Sequence, residues 1–217
     1  ILLASELKRR GITQLHNHFA NPAAIAGMLA SAYCGATWSL TLHGISEFDY
    51  PAGLLLKEKL RRADFAASAS YFTMSQAMRH CDPRDWRKLF ICHCGIELSA
   101  LPESREQSQS SSGCRVVCVG RLSPEKGHLG LLQAVATLRA EGMDVELTLV
   151  GDGPERERVV DKVAELALSD HVTLLGQLDE ATTLATIREH DVLVSASLME
   201  GLPVVLMEAM ALGVAAL

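Results

Sequence analysis

Short apolar runs alternate with amphipathic helical segments along nearly the whole chain, and this alternation constrains the fold more than any other feature. In the second half, the apolar runs span 115–119, 145–150, 172–175 and 192–195, and the helical segments span 129–140, 154–168, 180–190 and 202–212. Parallel strands need crossover connections of this length, and such connections are right-handed. The sequence therefore predicts an α/β fold built on a parallel sheet.

The first half repeats the alternation, and a polar stretch separates the two halves. Its predicted strands span 12–16, 36–42, 65–68 and 89–92, and its predicted helices span 22–33 and 53–62, with another beginning at 75–80. Residues 101–113 are serine-rich and lack apolar periodicity, which is typical of a linker. We therefore predict two Rossmann-like, doubly wound domains, 1–100 and 114–217, joined by a linker at 101–113.

The composition indicates an ordinary globular protein and argues against two functional classes. Of the 217 residues, 48% are hydrophobic, and the formal net charge is −6. An acidic chain of this kind has no general attraction for nucleic acid. No apolar run approaches the ~20 residues of a transmembrane helix, and no signal-peptide pattern follows residues 1–3. Because position 1 is not Met and the sequence closes on an apolar run at 213–217, we expect both ends to lie inside a longer protein.

Six cysteines allow two interpretations. Cys92 and Cys94 lie close to His80, Cys81 and His93, which suggests a zinc site. Structural zinc pairs usually have at least two residues between the cysteines, however, and here there is one. The alternative is that the cysteines are reduced structural thiols, which is typical of a cytoplasmic protein.

Two predicted loops of the second half lie where doubly wound sheets bind ligands, at the carboxyl ends of strands. The loop at 120–127 carries Arg121 and Lys126, and two cations in one turn can hold a diphosphate, although a solvated loop is the alternative. In the turn at 151–154, Gly151 and Gly153 permit close backbone approach to a ligand. Arg156 stands where a third glycine would complete a dinucleotide fingerprint, so a simple tight turn is the alternative there.

A third candidate segment, Glu200-Gly201-Leu202-Pro203, runs into the last predicted helix, and helix N-termini suit phosphates. About two turns into that helix, Glu208 could accept hydrogen bonds from sugar hydroxyls, although glutamates are common on exposed helix faces. A fourth candidate, His43, ends a predicted strand of the first half. It could donate a hydrogen bond to a ligand, or it could be structural, and the same two interpretations apply to His16 and His18.

Together these motifs resemble glycosyltransferase family 4, the retaining transferases of the GT-B fold. The resemblance covers nearly all of the chain and rests on segments 119–127, 149–154, 175–176 and 200–211, where Glu200 and Glu208 are separated by seven residues. The segments 15–20, 41–44 and 94–97 resemble bacterial enzymes that build exopolysaccharides such as colanic acid. The resemblance implies two Rossmann-like domains facing each other across a cleft, both incomplete in this chain.

The resemblance also implies site residues. The catalytic positions are His43, Glu200, Arg121 and Lys126. The donor-binding positions are Gly120, Gly151, Gly153, Gly176, Leu178, Gly201, Leu202, Pro203 and Glu208. Arg121 and Lys126 would hold the donor diphosphate, with Glu200 on the donor sugar and Glu208 on the ribose. The backbone from 201 to 203 would face the sugar and phosphate, the backbone from 176 to 178 would lie near the base, and His43 would lie near the reacting carbon.

The implied substrates are a UDP- or GDP-sugar donor and a glycan or polyprenyl-linked acceptor, with no metal or other cofactor. The implied location is the cytoplasm, with peripheral contact at the inner membrane face through the basic helix at 57–62. The chain departs from the family by ending at Leu217, before the strand that normally completes the donor domain, and by carrying Ala215-Ala216 in place of Pro-Val. The first βα unit and its glycine-rich loop are also missing. A GT-B sugar-nucleotide epimerase and a non-catalytic sugar-nucleotide-binding module remain the alternatives.

Overall fold

The computed structural model describes residues 2–49, 53–102 and 113–217. Its contacts form two compact units, the first comprising Ile1–Cys94 with Glu200–Leu202 and the second comprising Gly95–Met199 with Pro203–Leu217. The linker predicted at 101–113 falls mostly on residues outside the described part, so that domain boundary stays a prediction. Each unit is described by itself below.

The first unit contains a parallel four-stranded sheet. Its strands are β1 (Gln14–His18), β2 (Thr37–Leu42), β3 (Phe65–Ser68) and β4 (Leu89–Ile91), in the order β1-β2-β3-β4. Its helices are α1 (Leu2–Arg9), α2 (Ala23–Cys34), α3 (Leu56–Arg62) and α4 (Tyr71–His80). Five of the six residues of β2 are buried, as expected for a central strand covered on both faces.

The second unit contains a parallel five-stranded sheet in the order β7-β6-β5-β8-β9. Its strands are β5 (Cys114–Val119), β6 (Val145–Val150), β7 (Val172–Gly176), β8 (Val192–Leu193) and β9 (Ala215–Ala216). The connecting helices are α5 (His128–Ala140), α6 (Arg156–Glu165), α7 (Glu180–Glu189) and α8 (Val204–Ala211). The strand order reverses at β5, which pairs with β6 on one side and β8 on the other. Such a switch point is where doubly wound sheets bind ligands.

Several elements differ from the sequence prediction. Helix α3 begins at Leu56 rather than at 53, and strand β1 spans Gln14–His18 rather than 12–16. Helix α1 was not predicted, and it packs Ala4 and Leu7 against Ala30 of α2. Helix α4 begins four residues earlier than predicted, because Ser70 Oγ accepts a hydrogen bond from the Thr73 N–H at 3.2 Å and caps the helix. The predicted helix at 154–168 is shorter in the structure, where α6 spans Arg156–Glu165.

The end of the second unit also differs from expectation. We expected no strand after the last helix, but β9 pairs in parallel with β8, matching Val192 with Ala215 and Leu193 with Ala216. Helix α8 ends at Ala211, and the chain turns at Gly213 so that Val214 is buried in the core of the second unit. The prediction that this helix lacks a covering strand is therefore wrong.

Candidate functional site

Backbone hydrogen bonds join the loops at the carboxyl ends of β5, β6 and β7. The Leu122 N–H donates to the Asp152 carbonyl at 3.0 Å, which ties the loop after β5 to the loop after β6. The Gly151 N–H donates to the Gly176 carbonyl at 2.7 Å, which ties the loop after β6 to the end of β7. The loops that carry most of the predicted donor site are therefore a connected backbone framework beside the switch point.

The two glycines after β6 allow that framework to form. A Cβ atom on Gly151 would collide with the carbonyl oxygen of Gly120, and one on Gly153 would collide with that of Leu122. Gly151 also has φ 135°, a conformation that residues with a side chain rarely adopt. Both positions require glycine because the two loops pack closely, which agrees with the interpretation of 151–154 as a tight turn. Contact between this backbone and a donor stays a prediction.

The two predicted diphosphate ligands lie in one short loop. After β5 the chain passes Arg121, whose side chain is exposed, and forms a 3₁₀ turn over Pro124–Lys126. The Cδ atom of Lys126 lies 3.8 Å from the position that a Cβ on Gly120 would occupy, so the lysine side chain folds back over the start of the loop. The loop is fixed from the other side, because the Leu198 N–H, beyond β8, donates to the Glu125 carbonyl at 2.8 Å. The two cations are therefore carried on a restrained segment at the ligand-binding edge.

Two further donor positions follow β7. Gly176 is the last residue of that strand, and the side chain of Leu178 packs against the core cluster that includes Leu184 and Ile187. With its side chain in the core, Leu178 has only its backbone to offer a ligand. This agrees with the backbone role that the sequence predicts near the base.

The glutamate pair is placed by the segment between β8 and α8. Pro203 has an extended conformation and α8 begins at Val204, so Glu208 lies about one turn into the helix. The prediction that Glu208 lies two turns into the helix was wrong, because the extended Pro203 makes the helix begin later. Burial raises the pKa of the Glu208 carboxyl, and the charge of Glu180 raises it further. Glu200, Gly201 and Leu202 belong by their contacts to the first unit, so their placement beside the donor residues stays a prediction.

His43 follows β2 in the first unit and contacts two other polar side chains. Its Nε2 atom lies 2.9 Å from His18 Nδ1, and its Nδ1 atom lies 3.8 Å from Cys94 Sγ. Burial lowers the pKa of His43; the Glu47 carboxylate acts in the opposite direction, and His18 lowers it again. The imidazole is therefore neutral near pH 7, and its two ring nitrogens are engaged by His18 and Cys94.

His16 has the structural role that was one of its two interpretations. Its ring nitrogens lie 2.7 Å from Ser39 Oγ and 2.9 Å from Thr41 Oγ1, both on the neighbouring strand β2. Burial lowers the pKa of His16, and the adjacent His18 and His43 lower it further. His16 thus bridges β1 to β2, whereas His18 joins the group around His43.

Two buried charged residues that the sequence analysis missed hold the backbone around His43 and Ala20. Glu47 is 2% exposed, and its Oε2 atom accepts hydrogen bonds from the backbone N–H groups of His43 at 2.6 Å and Gly44 at 2.7 Å. Its Oε1 atom accepts from the Ala20 N–H. Lys59 is fully buried, and its Nζ atom donates to the Ala20 carbonyl. The sequence did contain one signal that Lys59 is buried, since it falls between Leu56 and Leu60 on the apolar face of a helix.

Lys59 also changes the interpretation of the basic helix. The sequence prediction treated residues 57–62 as a cationic surface for lipid headgroups, but Lys59 points into the core. Arg61 pairs with Glu58 at 2.7 Å, and Arg62 pairs with the same carboxylate. The helix therefore presents less free positive charge than its sequence suggests. Among the described helices, none combines the length and apolar character that a bilayer span requires.

The cysteines are free thiols in the structure. Burial raises the pKa of Cys118 to about 11 and also raises the pKa of Cys81 and Cys114, which keeps these thiols protonated. Within residues 2–49, 53–102 and 113–217, no group of three or more His, Cys, Asp or Glu side chains is arranged to hold a metal ion. The cluster near Cys92 and Cys94 therefore contains no candidate zinc site in the described part of the chain.

Comparisons with known proteins agree with this architecture. The chain is 26% identical over 98% of its length to N-acetyl-alpha-D-glucosaminyl L-malate synthase of Bacillus anthracis. It is 25% identical over 73% of its length to the putative colanic acid biosynthesis glycosyltransferase WcaL of Escherichia coli. The chain spans 58% and 40% of the lengths of these two relatives. The structure of Anabaena HepE with UDP and glucose superimposes on 99% of the chain and 61% of that protein, with a TM-score of 0.80 at 19% identity.

The family is established by a match that covers more than half of the chain. The model of the group 1 glycosyl transferases matches residues 102–217, which contain the Arg121–Lys126 loop, the glycine turn after β6 and both glutamates. The resemblance to family 4 and to colanic acid glycosyltransferases is confirmed, as is the GT-B fold class. The chain belongs to the group 1 glycosyl transferase family.

Proposed function

We propose that the protein transfers a sugar from a nucleoside diphosphate sugar to a hydroxyl group of a glycan or lipid-linked acceptor, in the synthesis of a bacterial exopolysaccharide or other surface polysaccharide. The observation that carries the proposal is the restrained loop with Arg121 and Lys126 at the switch point of a sheet in a group 1 glycosyl transferase. HepE was crystallised with UDP and glucose, which supports a nucleoside diphosphate donor, UDP- or GDP-linked. The chain spans only part of its relatives, so the activity concerns the intact protein.

Arg121 and Lys126 would stabilise the charge that develops on the leaving group. In the transition state, the bond between the sugar C1 and the diphosphate oxygen breaks, and its electron pair passes to the diphosphate. Fixed cations placed near that oxygen lower the barrier more than mobile ones, because they need no reorganisation during the reaction. The backbone that carries both cations is held by neighbouring backbone on two sides, which would limit how far the cations must reorganise.

The two glutamates would position the donor. Glu200 would contact the donor sugar, with the 201–203 backbone near the sugar and phosphate, and Glu208 would accept hydrogen bonds from the ribose. An ionised carboxylate only accepts hydrogen bonds, which suits vicinal hydroxyls. The raised pKa of Glu208 places part of its titration closer to neutrality, so ribose binding is expected to weaken as the pH falls.

Transfer would proceed with retention, as in family 4. The acceptor O–H attacks C1 on the face that the diphosphate leaves, the new C1–O bond forms, and the proton passes to the departing phosphate. His43 would lie near the reacting carbon. The transferred sugar would be a hexose. No metal or other cofactor takes part in this proposal, because Arg121 and Lys126 supply the positive charge, and transfer should persist in EDTA.

We place the reaction in the cytoplasm, at the inner membrane face when the acceptor is polyprenyl-linked. The free thiols suit a reducing compartment. Any membrane contact would be peripheral and would involve the exposed Lys57 of α3 rather than the buried Lys59. Retention of the intact protein in the supernatant with anionic vesicles at low salt would exclude this contact.

One experiment separates the proposed function from two alternatives. The intact protein is incubated with a panel of UDP- and GDP-sugars and candidate acceptors, and the products are identified by mass spectrometry and NMR. A glycoside with the donor's anomeric configuration and a released nucleoside diphosphate is the expected result. A changed sugar still attached to its nucleotide would indicate an epimerase. Binding of the nucleotide sugar without turnover would indicate a binding module.

A further inference from the structure

The carboxylate of Glu47 makes more hydrogen bonds than its place in the chain requires. Glu47 lies in the 3₁₀ turn Ile45–Phe48, three residues after Gly44, and a glutamate at that position commonly accepts a hydrogen bond from the N–H of the residue before the turn. The 2.7 Å contact with the Gly44 N–H is of this kind. The hydrogen bonds from the His43 N–H, at 2.6 Å, and from the Ala20 N–H are not. Capping of the turn therefore accounts for one of these three hydrogen bonds.

The burial of this carboxylate is costly, and a second buried charge lies on the other side of Ala20. Glu47 is 2% exposed, and Lys59 is fully buried. The Lys59 Nζ atom donates to the Ala20 carbonyl and, at 3.1 Å, to the Asn21 carbonyl. Buried charges of opposite sign contribute little to stability, because apolar residues of similar volume often serve as well. Stability alone therefore does not explain why two charged side chains stand here.

The loop that Glu47 and Lys59 hold has an unfavourable conformation beside His43. Phe19, which immediately precedes Ala20, has φ 70°, in the left-handed region that residues with a side chain rarely adopt. Its N–H donates to the Thr41 carbonyl at 2.9 Å, and its ring centroid lies 4.7 Å from that of His43. The hydrogen bonds to Ala20 thus fix a backbone conformation that places the Phe19 ring against the imidazole.

Glu47 also acts on His43 through its charge. The imidazole faces the Phe19 ring, His18 Nδ1 at 2.9 Å from its Nε2 atom, and Cys94 Sγ at 3.8 Å from its Nδ1 atom. Burial lowers the pKa of His43, the Glu47 carboxylate opposes that effect, and His18 lowers the pKa again. Glu47 therefore influences both the position of His43 and its protonation.

We propose that Glu47 is a positioning residue for sugar transfer, one that holds the His43 backbone and the neighbouring Phe19 loop in the arrangement that transfer requires. Lys59 completes this arrangement by fixing the far side of Ala20. The assignment rests on the proposed function for the place of His43 near the reacting carbon. A displacement of His43 weakens interactions made in the transition state, so it lowers kcat more than it changes binding of the donor.

Kinetics and stability of three variants of the intact protein, Glu47→Gln, Lys59→Met and the double variant, separate positioning from folding. Glu47→Gln keeps the size of the side chain, but its amide nitrogen cannot accept, so the hydrogen bonds of one oxygen are lost. We expect kcat to fall by about tenfold to a hundredfold, with the KM for the donor changed by less than about twofold. The double variant leaves no buried charge without its counterpart, so thermal melts should show a smaller loss of stability than the sum of the single variants. Its kcat should stay as low as that of Glu47→Gln.

An NMR titration of the His43 imidazole provides a measurement that needs no turnover. Because the Glu47 carboxylate raises the pKa of His43, Glu47→Gln should lower it. Glu58→Gln is the matched control, since Glu58 is a carboxylate of the same unit that pairs with Arg61 and Arg62 on α3. It should change neither the pKa of His43 nor kcat.

A well-folded Glu47→Gln protein with unchanged kcat would overturn the proposal, and so would an unchanged pKa of His43. A double variant whose kcat recovers together with its stability would also overturn it, since that result makes the two charges purely structural. A wild-type protein that transfers no sugar from any donor would refute the transferase proposal, and the NMR titration would still decide whether Glu47 holds His43.

Discussion

Glu47 and Lys59 hold opposite sides of the same residue, Ala20. Glu47 accepts a hydrogen bond from the Ala20 N–H, while Lys59 donates one to the Ala20 carbonyl. Glu47 also binds the His43 N–H, so the two buried charges link the loop after β1 to the loop after β2. Burial lowers the pKa of Lys59, and the charge of Glu47 raises it, which means that each group limits the cost of burying the other.

Replacing Lys59 should destabilise the protein. Lys59→Met keeps the length of the side chain and removes a charged donor from two carbonyls, which should lower the free energy of unfolding by about 1.5–3 kcal/mol. Lys57→Met, an exposed position on the same helix, should change it by less than about 0.5 kcal/mol. Urea unfolding followed by circular dichroism measures both variants. Equal effects of the two substitutions would show that the buried lysine does not hold the two loops.

The loop framework of the second unit can be tested with a pair of glycines. Gly151→Ala places a Cβ against the Gly120 carbonyl in a strained backbone conformation, so it should destabilise the protein by more than about 1 kcal/mol and weaken binding of the nucleoside diphosphate. Gly130 lies within α5 with nothing near its Cβ position, and Gly130→Ala should stabilise by about 0.5–1 kcal/mol. Thermal melts and UDP or GDP titrations provide the comparison. We expect the two substitutions to change stability in opposite directions. A stable Gly151→Ala protein with normal nucleotide affinity would contradict the packing argument.

Stability should fall as the pH falls below about 6.5, the ordinary pKa of histidine. Burial lowers the folded-state pKa of His16, His43 and His128, so the unfolded chain takes up protons in this range that the folded chain does not. The unfolded state then binds more protons, and the free energy of unfolding decreases until the pH passes the lowered folded-state values. His128 is 1% exposed, so His128→Asn should reduce the slope of stability against pH between 6.5 and 5. The exposed His80→Asn is the control, and an unchanged slope in His128→Asn would refute the assignment.

Much of the fold follows from the sequence because its strands are short apolar runs bounded by clear helical segments. The predicted limits of β3 and β6 coincide with the observed ones, and the predicted loop with Arg121 and Lys126 lies directly after β5. The two-residue strand β9 carries too little pattern to predict, since its pairing depends on β8.

The features of the site that could not be predicted from the sequence depend on tertiary contacts. Buried lysines are uncommon, so Lys59 was assigned to a basic surface, although its spacing from Leu56 and Leu60 placed it on the apolar face. The grouping of His18 with His43 depends on strand register, because β1 pairs His18 with Thr41 and so brings it beside the loop after β2.

The most direct test of the central claim is the steady-state kinetics of the Arg121 and Lys126 variants in the intact protein. Arg121→Ala and Lys126→Ala should each lower kcat by roughly 10²–10³-fold, because both meet charge that increases in the transition state. Glu200→Gln should also lower kcat, whereas Glu208→Gln should mainly raise the KM for the donor, because the ribose does not change during the reaction. Thermal melts of the same samples exclude loss of folding. Four well-folded variants with unchanged kinetics would contradict the site assignment and the transferase proposal with it.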